Sequence, residues 1–388
     1  MNAAPDPRLA RFDGLIGHGV AAIDTPALVI DLDAMERNLH RMADFCTARG
    51  LRLRPHAKMH KCAELAKLQM AHGAVGVCVQ KIDEALALAA QGVGDIYVSN
   101  EVVDPAKLAR LAQAVRANAN GGTRFAIAVD SALGVQRLGE ALAHAGVNHP
   151  QAIDVFVEID VGHGRCGVTP GEPALALARA VAAQRPLRFT GLQAYHGSAQ
   201  HQRPVAERRA TIAHAAQAVA HTRALIEAAG IAVPLVTGAG TGTFVHEAAS
   251  GLWGELQAGS YLFMDADYAA NTPDEGAPAF EHALFVKAQV MSRGEAHAVI
   301  DAGHKSHAID SGLPRVWWPH GLSYANGGDE HGVLRGDHLP ALGDTVWLVP
   351  GHCDPTVNLH DAMVGVRGGL VSGRVERVLR VDARGAIG

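Results

Sequence analysis

"RLRPHAKMHKCAELAKLQ" (Arg52 to Gln69) decides the fold. It opens like a short strand and ends at helical spacing, so it is one strand–turn–helix unit. Between the two lie Arg54, His56, Lys58, His60 and Lys61, a dense cationic cluster in a mildly apolar chain. A lysine among cations at a strand end has a chemical use. Its amine attacks carbonyls only when neutral, and desolvation and nearby cations favour that form. Arg54, His60 and Lys61 are the expected source of the bias. A solvated basic patch is the plain alternative.

The same unit recurs outward from this stretch. "PALVIDL" (Pro26 to Leu32) precedes a run in which Met35, Leu39, Met42 and Phe45 fall at helical spacing, with Gly50 as its C-terminal cap. "VGVCVQ", "DIYVSN", "FAIAVD", "DVFVEIDVG", "RFTGLQAYHG", "PLVTGAGTGT" and "ELQAGSYLFMD" follow as strand-like runs, most of them leading into Ala-rich helical ones. Units of roughly 25 to 35 residues are βα repeats and imply a parallel sheet. Their number fits a (β/α)₈ TIM barrel, and no G-x-G-x-x-G follows the first strand as a dinucleotide-binding sheet would require. After about residue 272 the texture changes to strict alternation broken by Gly, Asp and Pro, as in "TVWLVPG" and "MVGVRGG", which reads as an antiparallel β domain. The expected division is an N-terminal segment at 1–24 packing on the β domain, a barrel at 25–270 and a β domain at 271–388.

Bulk properties narrow the function. The net charge of −5 gives no support for nucleic-acid binding. No long uncharged apolar run suggests a membrane span and no secretory signal opens the chain, so a cytoplasmic soluble protein is expected. Five scattered cysteines without a CxxC pair argue against a disulfide framework or a structural zinc site. The 22 histidines raise the chance of a metal site.

In a barrel, active residues stand at the C-terminal ends of strands. Those ends carry His56, Lys58, Gln80, Asn100, Asp130, Arg165, Tyr195, His196 and the "GAGTG" turn (Gly238 to Gly242), followed by Gly259, Ser260 and Tyr268. Two successive small-residue loops, the second in "QAGSY", suit a phosphate cradled by backbone N–H groups, although either could be an ordinary turn. Arg165, in a glycine turn, could hold a phenolate or carboxylate. In "PGHCDPTVNLHD" (Pro350 to Asp361), His352 and Asp354 alternate and would share one face of an extended segment, which suits Mn²⁺, Mg²⁺ or Zn²⁺. Cys353 would face the other way and pack. A plain polar loop is the alternative.

Taken together, "TPALVIDLDAMERNL", "RPHAKMHK", "HGRCGV", "GLQAYHGS", "GAGTGT", "LQAGSYLFMDADY" and "GHCDPTVNLHD" resemble the D-threonine aldolase family, with the 3-hydroxy-D-aspartate aldolases as a close sister group. The resemblance runs from about Thr25 to Arg384. It implies a fold-type III pyridoxal phosphate (PLP) enzyme, alanine racemase-like in its barrel. Lys58 would carry the cofactor as an imine. Thr241, Gly242, Gly259 and Ser260 would hold the phosphate, with Tyr268 nearby. Gln80, Arg165 and Tyr195 would meet the ring, Arg165 at its phenolic oxygen. Gln257 stands where alanine racemase has an arginine, and such a neutral partner need not demand a protonated ring nitrogen. His352 and Asp354 would bind the metal, Mn²⁺ ahead of Mg²⁺ or Zn²⁺. D-Serine dehydratases carry cysteine at the second ligand position, so Asp354 points to the aldolases. Relatives of this type form head-to-tail homodimers with shared active sites.

The implied reaction is a retro-aldol cleavage of a D-3-hydroxy amino acid: D-threonine to glycine and acetaldehyde, or 3-hydroxy-D-aspartate to glycine and glyoxylate. For the second substrate, Arg315 and Lys305 are candidate cations for the β-carboxylate. His60, His196 or a metal-bound hydroxide are open choices for the general base. Dehydration at the same metal, a PLP-binding protein without turnover and a metal-only hydrolase are the rival readings.

Overall fold

Strand register, more than hydrophobicity, decides which sheet each apolar run joins. The computed structural model describes residues 7–388, so the first six residues of the expected N-terminal segment lie outside it. Strands and helices alternate as β1 (Ala27–Asp31), α1 (Leu32–Thr47), β2 (Arg52–Leu53), α2 (Ala63–Ala71), β3 (Val77–Val79), α3 (Ile82–Ala90), β4 (Asp95–Glu101), α4 (Pro105–Ala117), β5 (Arg124–Val129), α5 (Ala132–His144), β6 (Ile153–Glu158), α6 (Glu172–Ala182), β7 (Leu187–Ala194), α7 (Val205–Ala228), β8 (Leu235–Gly238), α8 (Phe244–Ser250) and β9 (Glu255–Leu256). Side-chain caps fix several helix starts. Asp31 accepts from Ala34 N, Asp104 from Lys107 N just ahead of Pro105, and Ser131 from Gly134 N.

Strands β2 to β9 form one parallel sheet in the order β2-β9-β8-β7-β6-β5-β4-β3. Its two ends meet: Val75 N donates to Leu53 O and Cys78 N to Pro55 O, both at 2.9 Å, and His56 bridges to Cys78. The ring therefore closes at the strand that leads to Lys58. Val77, Ile96, Ile127 and Val155 pack outward under the helices, while Cys78, Tyr97, Ala126, Ala128 and Phe156 fill the interior. Strand β7 changes phase along its length. Phe189 pairs with Val155 but Gly191 with Phe156, so one residue is extra. Gly191 takes φ 146°, and a Cβ there would sit 1.7 Å from Leu235 O. Because of this bulge, Phe189 and Leu192, three apart, both pack under the helices, and Gln193 turns into the barrel.

The second sheet is built from β10 (Leu284–Arg293), β11 (Ala298–Ile300), β12 (Arg315–Trp318), β13 (Ser323–Asn326), β14 (Gly332–Arg335), β15 (Thr345–Val349), β16 (Ala362–Arg367) and β17 (Arg374–Arg380), with helix α9 (Cys353–Asn358) ahead of β16. It also takes in β1, a correction to the expected barrel at 25–270. Ala27 to Ile30 pair antiparallel with Lys287 to Leu284, and Val29 to Asp31 pair parallel with Val364 to Val366. The domain is thus mixed rather than purely antiparallel. Helix α1 joins the halves: Met35, Leu39 and Met42 lie in one buried cluster with Leu262, Leu284, Leu348 and Met363. Each such side chain contributes about 1.5–3 kcal/mol. Phe12, Val20 and Ile23 pack with Phe285, Trp347 and Val364 of this sheet. Among the described residues no helix is long and apolar enough to cross a membrane.

Candidate active site

A cavity of about 300 Å³ opens at the C-terminal ends of the barrel strands, where the start of α9 meets it. Beyond β2 the chain makes a single 3-10 turn, Ala57–Met59, capped by His56 Nδ1 accepting from Lys58 N at 3.3 Å. That turn brings Lys58 to the cavity, with Nζ 3.5 Å from Asp354 Oδ2. The other cations of the stretch go elsewhere. Arg54 is buried inside the barrel against Glu255 and Asp95, and Lys61 pairs with Glu84 at 3.1 Å. His60 is fully buried, between Gln69 and the Cys62 N–H. The expected cationic pressure on Lys58 is therefore absent. Burial favours the neutral amine, but the Asp354 and Tyr195 oxygens outweigh it and hold the Lys58 ammonium above its ordinary range.

Gln80, Arg165, Tyr195, Thr241, Gln257, Gly259, Ser260 and Tyr268 converge on the same cavity. The Arg165 guanidinium lies 5.6 Å from the Tyr195 ring centroid, and the Gln80 amide is 2.8 Å from His56 Nε2. Gly242 is not at the wall; its N–H donates to Gln200 Oε1 at 3.0 Å, and Gly240 lines the cavity in its place. The N–H groups of Gly240, Thr241 and Gly259 have no protein acceptor among the described residues. Unspent donors on two adjoining small-residue loops fit a phosphate, and with a reachable lysine amine they fit PLP. Asn100 and Asp130 play supporting parts, donating to Gln80 O and accepting from Gly167 N.

His352 and Asp354 also reach the cavity, though not by alternation on an extended segment. His352 is the N-cap of α9 and Asp354 stands in its first turn, which brings His352 Nε2 to 3.8 Å from Asp354 Oδ1. Asp310 Oδ2 lies 2.7 Å from His352 Nδ1 and fixes the ring with Nδ1–H donating, so the Nε2 lone pair faces Asp354. Asp354 Oδ1 is buried with no hydrogen-bond partner among the described residues. An oriented imidazole beside an unsatisfied carboxylate oxygen fits a divalent cation. Among the described residues no cluster of three or more metal-ligating side chains occurs, so remaining positions would fall to water or substrate. Cys353 is buried and its N–H donates to Asp265, consistent with packing.

Comparison with known proteins places the chain in a family. Residues 30–267 match the alanine racemase N-terminal domain family, and residues 283–366 match a putative serine dehydratase domain. A D-threonine aldolase of Arthrobacter sp. is 46% identical over 373 residues, 95% of each chain. A 3-hydroxy-D-aspartate aldolase of Paracoccus denitrificans (strain Pd 1222) is 44% identical over 378 residues, 96% of this chain and 95% of the other. The chain belongs to the D-threonine aldolase and 3-hydroxy-D-aspartate aldolase family. The crystal structure of D-threonine aldolase from Filomicrobium marinum superposes with a TM-score of 0.91 at 48% identity, covering 96% of this chain and 99% of that one. The family is PLP-dependent, with an alanine racemase-like fold.

In this family member the histidines differ from the sequence expectation. Neither His60 nor His196 lines the cavity; His196 Nδ1 instead accepts from Ala199 N. His56, His163, His201 and His352 do line it. Burial and the neighbouring Lys58 hold His56 well below the usual histidine range, and both its nitrogens are engaged. His163 Nδ1 accepts from Ser198 N at 3.1 Å, which leaves the proton on Nε2, so a neutral His163 is a donor. His201 has the opposite tautomer: Nδ1 donates to Asp267 Oδ2 at 2.5 Å, and Nε2 has no protein partner among the described residues. Arg203 in turn holds the Asp267 carboxylate. His163 stands beside Arg165 and His201 six residues after Tyr195. Only their partners, distant in sequence, distinguish them from the other histidines. Lys305 pairs with Asp329 and Glu330, and neither it nor Arg315 on β12 reaches the cavity of its own chain.

Proposed function

We propose that this chain cleaves D-3-hydroxy amino acids by a retro-aldol reaction, D-threonine giving glycine and acetaldehyde, with PLP and a divalent metal, Mn²⁺ ahead of Mg²⁺ or Zn²⁺. The observation that carries the reading is the convergence of Lys58 and the His352–Asp354 pair on one cavity. PLP held by Lys58 would supply the electron sink for the pair released at Cα, and a cation at His352 and Asp354 would supply Lewis acidity toward the 3-hydroxyl. Gly240, Thr241, Gly259 and Ser260 would take the phosphate and Arg165 the phenolic oxygen.

His201 is the proton acceptor of this scheme. Its Nε2 lone pair is free in the cavity, and Asp267 steadies the imidazolium formed when the 3-hydroxyl gives up its proton. The hydroxyl oxygen's electrons then form the aldehyde C=O, the Cα–Cβ pair stays on Cα, and a proton delivered to Cα completes glycine. None is consumed overall. His163 Nε2–H and Arg165 are donors for the substrate carboxylate. D-Threonine comes ahead of 3-hydroxy-D-aspartate on likeness, the two D-threonine aldolases being 46% and 48% identical and the 3-hydroxy-D-aspartate aldolase 44%.

A head-to-tail homodimer completes the proposal. Asp310 holds His352, and close by on the same segment Ile309 and Leu313 stand 43% and 45% exposed, an apolar margin beside the metal pair that a second copy would cover.

The deciding experiment supplies purified protein with D-threonine and, separately, D-3-hydroxyaspartate, each with and without chelator. Glycine with acetaldehyde, lost on chelation, is the expected result. Ammonia and a keto acid without glycine would make the chain a dehydratase.

A further inference from the structure

A chain of buried polar groups crosses the barrel interior, and its polarity can be assigned from one end. Arg54 is a donor only. It bonds Glu255 Oε1 at 3.1 Å, so that carboxylate accepts. Thr237 Oγ1, 2.9 Å from the same oxygen, must then donate its one proton to it. Its oxygen is left to accept from Gln257 Nε2 at 2.8 Å, which fixes which way round the amide lies. The second amide proton of Gln257 goes to Gln193 Oε1 at 2.7 Å, which Tyr97 OH also approaches at 3.0 Å. Glu255, Thr237 and Tyr97 are fully buried and the two glutamines nearly so, so water does not offer these groups other partners.

Both amide protons of Gln257 are thus committed. Among the described residues its Oε1 has only Gln193 Nε2 at 3.4 Å, which leaves a lone pair, and Gln257 lines the cavity. A ligand group turned to this oxygen must be a hydrogen-bond donor. We infer that Gln257 Oε1 accepts from the protonated ring nitrogen of PLP, and that Arg54, Glu255 and Thr237 are positioning residues that hold the amide in the required sense. The inference rests on the cofactor assigned under Proposed function. The phosphate and phenolate oxygens of PLP are acceptors, and of its ring atoms only a protonated nitrogen offers an N–H. An unprotonated nitrogen here would set lone pair against lone pair. A neutral Gln257 therefore demands the protonated ring, contrary to the expectation drawn from its neutrality alone. The protonated ring is also the stronger electron sink.

The test loads the protein with PLP labelled with ¹⁵N in the ring and reads the nitrogen chemical shift. The wild type is expected to show the protonated-ring position. Gln257→Leu should move the shift to the unprotonated position and weaken PLP binding about 10- to 100-fold, the scale of one charge-assisted hydrogen bond. Gln257→Glu, which keeps an acceptor, should retain the wild-type shift. Thr237→Val removes one of the amide's two anchors, Gln193 being the other, and should move the shift part of the way that Gln257→Leu does. An unprotonated nitrogen in the wild type overturns the inference, as does a protonated one unchanged in Gln257→Leu and Thr237→Val. Failure of the cofactor reading looks different: no visible absorption on loading and no borohydride-stable adduct at Lys58.

Discussion

Nζ of Lys58 lies 3.5 Å from Oδ2 of Asp354, an ion pair that ties the end of a barrel strand to the first turn of α9. The proposed cofactor anchor and the proposed metal ligand are direct neighbours, so the two chemistries would act on one small molecule. Lys58→Ala removes the amine and leaves the barrel core untouched. It is expected to fold, to show no imine absorption with PLP and to make no glycine. Absorption spectra on cofactor addition check this, and a coloured, active Lys58→Ala would remove Lys58 from the mechanism.

Asp310 was not singled out in the sequence, yet it fixes the tautomer of His352. Asp310→Asn should weaken metal affinity about 10- to 100-fold, the usual effect of losing a group that orients a ligand. His352→Ala should abolish metal-dependent cleavage. Titration of the chelator-stripped protein with Mn²⁺, followed by glycine formation, measures both. Equal affinities in the parent and Asp310→Asn would mean that the carboxylate only ties two loops together.

Much of this fold was legible because βα units repeat and their strand-end residues are chemically distinct. Strand β1 was misplaced for a physical reason. "PALVIDL" followed by an amphipathic helix looks like a barrel unit, and only its pairing with Leu284–Lys287 and Val364–Val366 puts it elsewhere. The same limit hid the proposed base. His201 is one of 22 histidines, and what marks it is Asp267, far along the chain. His60 drew notice through its nearness in sequence to Lys58, but the turn that exposes Lys58 buries its neighbour.

His201→Asn should lower cleavage of D-threonine about 10²- to 10⁴-fold, the range general-base removal produces. PLP absorption should persist, because His201 is not among the residues assigned to hold the cofactor. Asp267→Asn should lower the rate less. A merely structural role predicts no chemical rescue, whereas His201→Gly, which vacates the ring's space, should regain activity with added imidazole. Steady-state assays across an imidazole series decide between them.

His60 makes a prediction about stability rather than catalysis. Burial, the largest influence, pulls its pKa from 6.5 down to about 4, and its hydrogen bonds offset only part of that. The folded state thus keeps His60 neutral where the unfolded chain has begun to take up a proton. Stability from this site is fully present above about pH 6.5, falls through the window from 6.5 to 4, and levels off below. The loss amounts to about 3 kcal/mol at most. His360, buried against Ser306 O and also held at about 4, adds a slope of the same sign. His60→Gln should therefore lose less stability than the parent between pH 7 and pH 4.5, while keeping the part due to His360. Urea unfolding at several pH values measures the difference, and parallel slopes in parent and variant would show that His60 is charged in the folded protein.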